Sequence, residues 1–246
     1  MATALDPNAR ERVASLFEPL VTPARTAFHT SEVIELVTSP DCDPVLLDRY
    51  LIEYCARGVR MTEPVEGWIR RAGERTEAMG LTELGQALQR HAVQESDHHL
   101  LMIDDTRRLV ELWNSLGRVP LNADTLLASP ASPGCVAYVE LHERIIDGET
   151  PYAQIGIEYE IEMLSVTAGV KLLANVAQVC GDDRVEELSF LNDHVELDVG
   201  HTEFNRRQLE AILADHPEFA RVIGEAGTAA LHAYRQFMTD CLEAVR

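Results

Sequence analysis

A chain of 246 residues is long enough to bury a large core and to form one sizeable domain. Its formal net charge of -20 argues against nucleic acid and anionic membrane as partners, because both of these need basic protein surface. The 5 cysteines are dispersed and form no Cys-x2-Cys pair, which argues against a disulfide framework or a cysteine zinc site and favours a reducing compartment.

Helical periodicity begins close to the amino terminus, whose first residues lack the apolar core of a signal peptide. Residues 8–38 are predicted to be helical, with proline interruptions. Asp43 and Pro44 then predict an N-cap and a first helical turn. Pro64 is expected to kink or break the helix that they start.

The next predicted helix carries the first histidines of interest. After a break at Gly80, Thr82 is expected to open a long helix that continues through both His91 and His98 to about Leu116. The segment that follows contains prolines and indicates a connection rather than a helix.

Helices are predicted over most of the remaining chain, at about 135–147, 152–179, 184–214 and 217–245. No stretch alternates as a half-buried strand would, and none is long and apolar enough to suggest a membrane span. The sequence therefore predicts a single all-α domain over residues 1–246, and we expect it to be cytoplasmic.

A short pattern, His-x3-acid-x2-His, occurs twice. The copies are His91, Glu95 and His98, and His194, Asp198 and His201. Positions i, i+4 and i+7 share one face of an α-helix, so each copy should point two imidazoles and one carboxylate in the same direction. This ligand set suits iron or manganese, and two facing helices would have room for more than one ion. The alternative is two surface helices with solvated polar faces.

Three further acids lie in the apolar segment IGIEYEIEML. A carboxylate buried in such a helix is costly unless a cation or a hydrogen-bond donor receives it. Glu158 and Glu162 are four residues apart and share a face, so Glu162 is predicted to bind the metal and Glu158 is a further candidate. Glu160 is expected at the exposed edge of the helix. Gly156 and Gly169, near the Glu162 face, are expected to leave space for a ligand.

These blocks resemble the haem-oxygenase-like diiron oxidases and oxygenases, which are also described as iron-containing redox enzymes. The resemblance rests on H-x2-[E/Q]-E-x2-H in residues 91–98, on Glu162 followed seven residues later by Gly169, and on H-x3-D-x2-H in residues 194–201. The third of these blocks is the most specific, and the amino-terminal third of the chain contributes little.

The resemblance implies a seven-helix bundle without haem. It implies two Fe(II) ions per chain, O2 as co-substrate and an external electron donor, and at family level a homodimer. The implied iron ligands are Glu95, His98, Glu162, His194, Asp198 and His201. A histidine at the position of His91 is found in only part of the family, and the other members have different ligands there.

Reactions of the resembled family include N-oxygenation of amines, oxidative carbon–carbon cleavage, desaturation and nitrile formation, often in natural-product pathways. The aromatic content of 6% and the polar pocket candidates favour a small amine or amino acid, so N-oxygenation is the predicted reaction. Arg206 is a candidate to hold a substrate carboxylate. The candidate pocket residues are Met102, Tyr138, His142, Tyr159, Asn205 and Arg206.

Three alternatives stay open at the level of sequence. A ferritin-like bundle shares the acid-x2-His element, although not the additional upstream histidine. A metal-free enzyme of the thiaminase-like type or a cofactor-free oxidase would need no His–carboxylate groups, and a helical interaction protein would need no site at all. No Gly-rich dinucleotide motif follows a strand, so an oxidase would take its electrons from outside.

Overall fold

The computed structural model describes residues 7–246, with side chains from residue 10 onward, and these residues form helices and no strand. The all-α class predicted from the sequence is confirmed. The first half contains α1 (Pro7–Arg12), α2 (Glu18–His29), α3 (Glu32–Val37), α4 (Pro44–Thr62), α5 (Val65–Ala78), α6 (Thr82–Gln94) and α7 (His98–Ser115). The second half contains α8 (Ala123–Leu127), α9 (Pro133–Asp147), α10 (Gln154–Leu164), α11 (Val170–Cys180), α12 (Asp182–Glu186), α13 (Ser189–Asp215) and α14 (Ala220–Glu243). π-helical turns at Val13–Phe17 and Ser165–Gly169 join α1 to α2 and α10 to α11.

The helical segments outnumber the seven that were predicted, because several expected long helices are interrupted. The helix expected over residues 82–116 stops at Gln94 and restarts at His98. The helix expected over residues 184–214 is broken after Glu186. Tertiary packing explains the first break, since α6 packs against α5 whereas α7 packs against α4.

α10 lies between α13 and α14, and glycines bring its backbone close to α14. A Cβ atom on Gly156 would lie 2.3 Å from the carbonyl oxygen of Ile223. A Cβ atom on Gly227 would lie 2.8 Å from the carbonyl oxygen of Gly156. Only glycine permits so close an approach. Gly156 therefore serves helix packing, in contrast to the expectation that it leaves space for a ligand.

Glu160 is fully buried, which corrects the expectation that it lies at an exposed helix edge. Its two carboxylate oxygens each accept a hydrogen bond of 2.6 Å from the guanidinium of Arg25 on α2. Burial raises the pKa of Glu160, and the hydrogen bonds and charge of Arg25 oppose that rise. The sequence could not reveal this pair because its members are 135 residues apart.

The stretch Pro151–Cys180 is long and apolar enough to cross a membrane by length and composition, with a mean hydropathy of 1.4. This finding corrects the expectation that no such stretch is present. Within the bundle, the stretch contributes the buried glutamates of α10 and packs against α13 and α14. Of its most apolar 18-residue window, 33% is buried inside the bundle.

Gly156→Ala should lower the free energy of unfolding by about 1–3 kcal/mol, because the added methyl group would meet the backbone of α14. Gly67→Ala on α5 is the matched control, since no atom lies within 4 Å of the added methyl group. That substitution should stabilise the helix by about 0.5–1 kcal/mol. Urea unfolding followed by circular dichroism measures both values, and equal stability of the two variants would contradict the close helix contact.

Arg25→Met should lower the free energy of unfolding by about 3–5 kcal/mol, because Glu160 would stay buried without its cation. The double variant Arg25→Met, Glu160→Leu should recover much of that loss. Arg221→Met removes an exposed pair with Glu225 and should leave the urea midpoint nearly unchanged. If the double variant is no more stable than Arg25→Met, the loss does not come from an uncompensated Glu160.

Candidate metal centre

Side chains from α6, α7, α10 and α13, together with one residue between α6 and α7, converge on two groups of potential metal ligands. Within each group the ligand atoms lie within 4.8 Å of one another. The first group is His91, Glu95, Glu162 and His201, and the second group is Glu95, His98 and His194. Glu95 belongs to both groups, so its carboxylate stands between them.

The break between α6 and α7 separates the two histidines of the first sequence motif. α6 ends at Gln94, Asp97 adopts a left-handed conformation with a φ of 65°, and α7 begins at His98. Aspartate is one of the few residues that tolerate this conformation. The expected single stripe on one helix is therefore wrong: His91 reaches the first group from α6, and His98 reaches the second group from α7.

The second sequence motif lies entirely on α13, as its spacing predicted. His201 belongs to the first group and His194 to the second, so each group receives one histidine from each motif. Asp198 is buried and lies outside both groups. Its Oδ1 is 3.2 Å from Nδ1 of His201, close enough to orient that imidazole or to join it at an ion.

The first group contains buried ligand atoms that lack hydrogen-bond partners. His91 Nε2 lies 3.0 Å from Glu162 Oε1, and neither atom makes a hydrogen bond within the described protein. His201 Nδ1 is 3.4 Å from Glu95 Oε1 and 3.8 Å from Glu162 Oε1. Buried polar atoms are normally satisfied, and a shared cation would satisfy these. The residues present therefore fit a metal ion.

The second group is smaller and faces the interior cavity described below. Glu95 Oε2 lies 3.1 Å from His98 Nδ1 and 3.9 Å from His194 Nε2. His194 Nδ1 is 2.8 Å from the carbonyl oxygen of Phe190, a contact that leaves Nε2 free to act as a ligand. With three protein ligands, this group would leave an ion with coordination positions open to other ligands.

Carboxylates and imidazoles in this cluster shift one another's pKa values. Burial disfavours ionised Glu95, but the hydrogen bond with His98 and the charges of neighbouring histidines outweigh burial and lower its pKa to about 2. Burial raises the pKa of Glu162 to about 7, although the nearby His91 opposes that rise. Burial also opposes the charged form of His91, but Glu158 and Glu162 raise its pKa overall. Bound cations would replace the protons on these histidines and glutamates and would offset the carboxylate charges in their place.

Two amide side chains fix the carboxylates of α10. Asn205 donates a hydrogen bond of 2.7 Å to Glu162 Oε2, which leaves Glu162 Oε1 directed at the first group. Gln154 donates a hydrogen bond to Glu158 Oε1. Asn205 was expected in the substrate pocket, but the structure places it behind a predicted ligand, where it positions that ligand.

A largely apolar cavity of about 110 Å³ opens beside the two groups of potential ligands. Met102 and Tyr138 line it, as the sequence suggested. Tyr54 and Tyr234 also line it, and their hydroxyl oxygens lie 2.7 Å apart. Sequence reasoning missed this pair, because a tyrosine at helical spacing is equally typical of a core position.

Three other predicted pocket residues lie elsewhere. His142 stacks on Trp68 with ring centroids 4.1 Å apart, on the far side of Gln154 from Glu158. Tyr159 and Arg206 line a separate shallow depression near α1. Arg206 pairs with glutamates on its own helix, so it is not available to hold a substrate in the cavity.

Solved structures share this architecture. A domain of unknown function with a haem-oxygenase-like fold from Shewanella denitrificans aligns over 98% of this chain and 94% of that chain, at a TM-score of 0.70 and 16% identity. A TenA homologue from Pseudomonas syringae aligns over 99% and 96%, at a TM-score of 0.63 and 14% identity. A CADD-like protein of unknown function from Nostoc punctiforme aligns over 93% and 98%, at a TM-score of 0.62 and 16% identity.

The chain therefore has the haem-oxygenase-like fold that its motifs suggested. No family model and no curated protein sequence matches it. The fold alone assigns no reaction, because one fold supports many chemistries.

Cobalt(II) loading should give about two ions per chain, because the residues form two ligand groups. His98→Ala removes a ligand of the second group only and should leave about one ion, whereas Glu95→Ala should weaken both sites. His99→Ala is the matched control, because His99 belongs to neither group, and it should retain both ions. Metal analysis after equilibrium dialysis measures the number of cobalt ions that each variant retains. Equal loss of cobalt from His98→Ala and His99→Ala would contradict the assignment of His98 to the second group.

Proposed function

We propose that this chain is an O2-activating enzyme with two non-haem irons and a small-molecule substrate. The observation that carries the proposal is the pair of ligand groups joined by Glu95 beside an apolar cavity. Carboxylates and imidazoles in this proportion suit iron, and carboxylates that face each other in a protein core need a compensating cation.

The first ion would be held by His91, Glu162 and His201, and the second by His98 and His194, with Glu95 shared. Asp198 lies against Nδ1 of His201 and would be a further ligand of the first ion. Two ferrous ions held there would supply electrons to O2 at coordination positions that the protein leaves open.

The protein environment contributes orientation and exclusion of water. His91 and Glu162 are buried, so that side of the first group is shielded from solvent. Hydrogen bonds from Asn205 and to Phe190 hold Glu162 and His194 in place, so little reorganisation is needed when a ligand binds. The cavity walls are mostly apolar and would favour substrate over water next to the open positions.

The finer proposal is N-oxygenation of an amine. One oxygen atom of O2 is added to the amine nitrogen to give a hydroxylamine, and the other leaves as water. The balance requires two electrons from an external donor and two protons. Carboxylates at the polar end of the cavity support an amine, whereas carbon–carbon cleavage, desaturation and nitrile formation have no specific support among the cavity residues. We further propose natural-product biosynthesis and a homodimer, as the sequence resemblance implied, and a cytoplasmic location, as the cysteine pattern and the amino-terminal sequence suggested.

Anaerobically iron-loaded protein mixed with O2 should show a transient visible absorption, because the two ligand groups would hold both ions beside the open cavity. With a reductant and a panel of amines under ¹⁸O2, mass spectrometry should detect an oxidised nitrogen product that carries the label. Zero iron after loading would exclude the metal proposal.

The matched comparison is His98→Ala against His99→Ala. We expect His98→Ala to lose the transient absorption and His99→Ala to retain it, because only His98 is in a ligand group. Labelled products of carbon–carbon cleavage or desaturation without any oxidised nitrogen would retain the diiron proposal and reject N-oxygenation.

A further inference from the structure

Glu158 is a buried acid at the cavity that neither metal group uses. It lies on α10 one helical turn before Glu162, and its carboxylate lines the cavity. It is 7% exposed, and it is absent from both groups of ligand atoms. A carboxylate in such a place is costly unless a cation or a donor meets its oxygens.

A row of side chains fixes the direction of Glu158. Gln154, which is fully buried, donates one hydrogen bond to Glu158 Oε1. The same amide lies 2.8 Å from Nδ1 of His142, whose ring is held flat against Trp68. One oxygen of Glu158 is thus occupied, while Oε2 lies 3.8 Å from His91 Nε2. The second oxygen is therefore oriented towards the centre rather than into the protein behind it.

The cavity offers no positive side chain to an anionic substrate group. Among the described residues, its lining contains neither lysine nor arginine. Beyond the polar end, the walls are apolar and aromatic, with Phe28, Ile34, Val37 and Phe237 among them. A carboxylate placed against those walls would lose its hydration without gaining a counter-ion, and this is strongly unfavourable.

We propose that Glu158 receives the protonated amino group of a primary amine whose body is apolar and carries no carboxylate at its far end. This inference rests on the proposed function and narrows its substrate class. On binding, the ammonium group donates to Glu158 Oε2 in a charge-assisted hydrogen bond, and the hydrocarbon body lies along the apolar walls. Oxygenation needs the nitrogen lone pair, so the ammonium gives up one proton first, and this proton is one of the two that the reaction consumes. The proposal narrows the expectation of a small polar amine or an amino acid, because a carboxylate at the far end of the substrate would need a cationic partner that the walls away from the metal groups lack.

The test measures binding to the cobalt(II)-loaded protein without iron or O2. The probes are n-hexylamine, n-hexanol and 6-aminohexanoate, used near neutral pH, where the amines are protonated. Wild-type protein should bind n-hexylamine more tightly than n-hexanol, because only the amine pairs with Glu158. It should bind 6-aminohexanoate more weakly than n-hexylamine, because that probe places a carboxylate against the apolar walls. Calorimetry measures each affinity.

Glu158→Gln should weaken n-hexylamine binding by about 30-fold or more, because a buried charge pair is lost. Binding of n-hexanol should change by less than about threefold, since that probe makes no ion pair. The matched control is Glu111→Gln, an exposed acid on α7 that lies outside the cavity, and it should bind every probe as the wild type does. The Glu158→Gln variant should keep both cobalt ions and an unchanged cobalt spectrum.

Three results would overturn the recognition role of Glu158. One is unchanged n-hexylamine affinity in Glu158→Gln. Another is loss of a cobalt ion from that variant, which would make Glu158 a metal ligand. The third is a shift of the cobalt spectrum when n-hexylamine binds to wild-type protein, which would place the amine nitrogen on the metal. By contrast, failure of wild-type protein to bind cobalt would contradict the proposed function itself.

Discussion

The carboxylate of Glu95 is the point on which the proposed site depends. It belongs to both groups of ligand atoms, and each of its oxygens faces a different pair of histidines. Its position depends on the three-residue interruption between α6 and α7, which lies where the sequence pattern predicted an unbroken helix. A continuous helix would keep His91 and His98 on one stripe, whereas the break allows each to approach a separate group.

The two faces of α10 show how one helix can serve stability and chemistry together. Glu158 and Glu162 face the cavity, where Gln154 and Asn205 hold them. Glu160, on another side, is neutralised by Arg25. All three acids are buried, so each needs its own compensation: a guanidinium for Glu160, bound cations for Glu162 and, in our proposal, an ammonium group for Glu158.

The cavity wall is shaped by the π-helical turn Ser165–Gly169, which follows Glu162 almost directly. Ser165, Ala168 and Gly169 line the cavity there, so this turn widens the helix at the point where space is needed. π-helical turns occur frequently at functional sites, in agreement with this placement. The expectation that Gly169 borders ligand space agrees with its place in the lining, whereas Gly156 is used for close contact with α14.

The sequence by itself determined the all-α class, most helix locations and the residue types that gather at the centre. Helical periodicity and the two His-x3-acid-x2-His motifs depend on neighbours within about two helical turns, so they can be read from spacing alone. The sequence did not determine the break at Glu95, the pairing of Glu160 with Arg25, or which candidates line the cavity. Each of these depends on contacts between residues that are distant in the chain, such as α5 with α6 and α2 with α10. Spacing shows which side chains share a helix face, but only the packing of helices decides what that face meets.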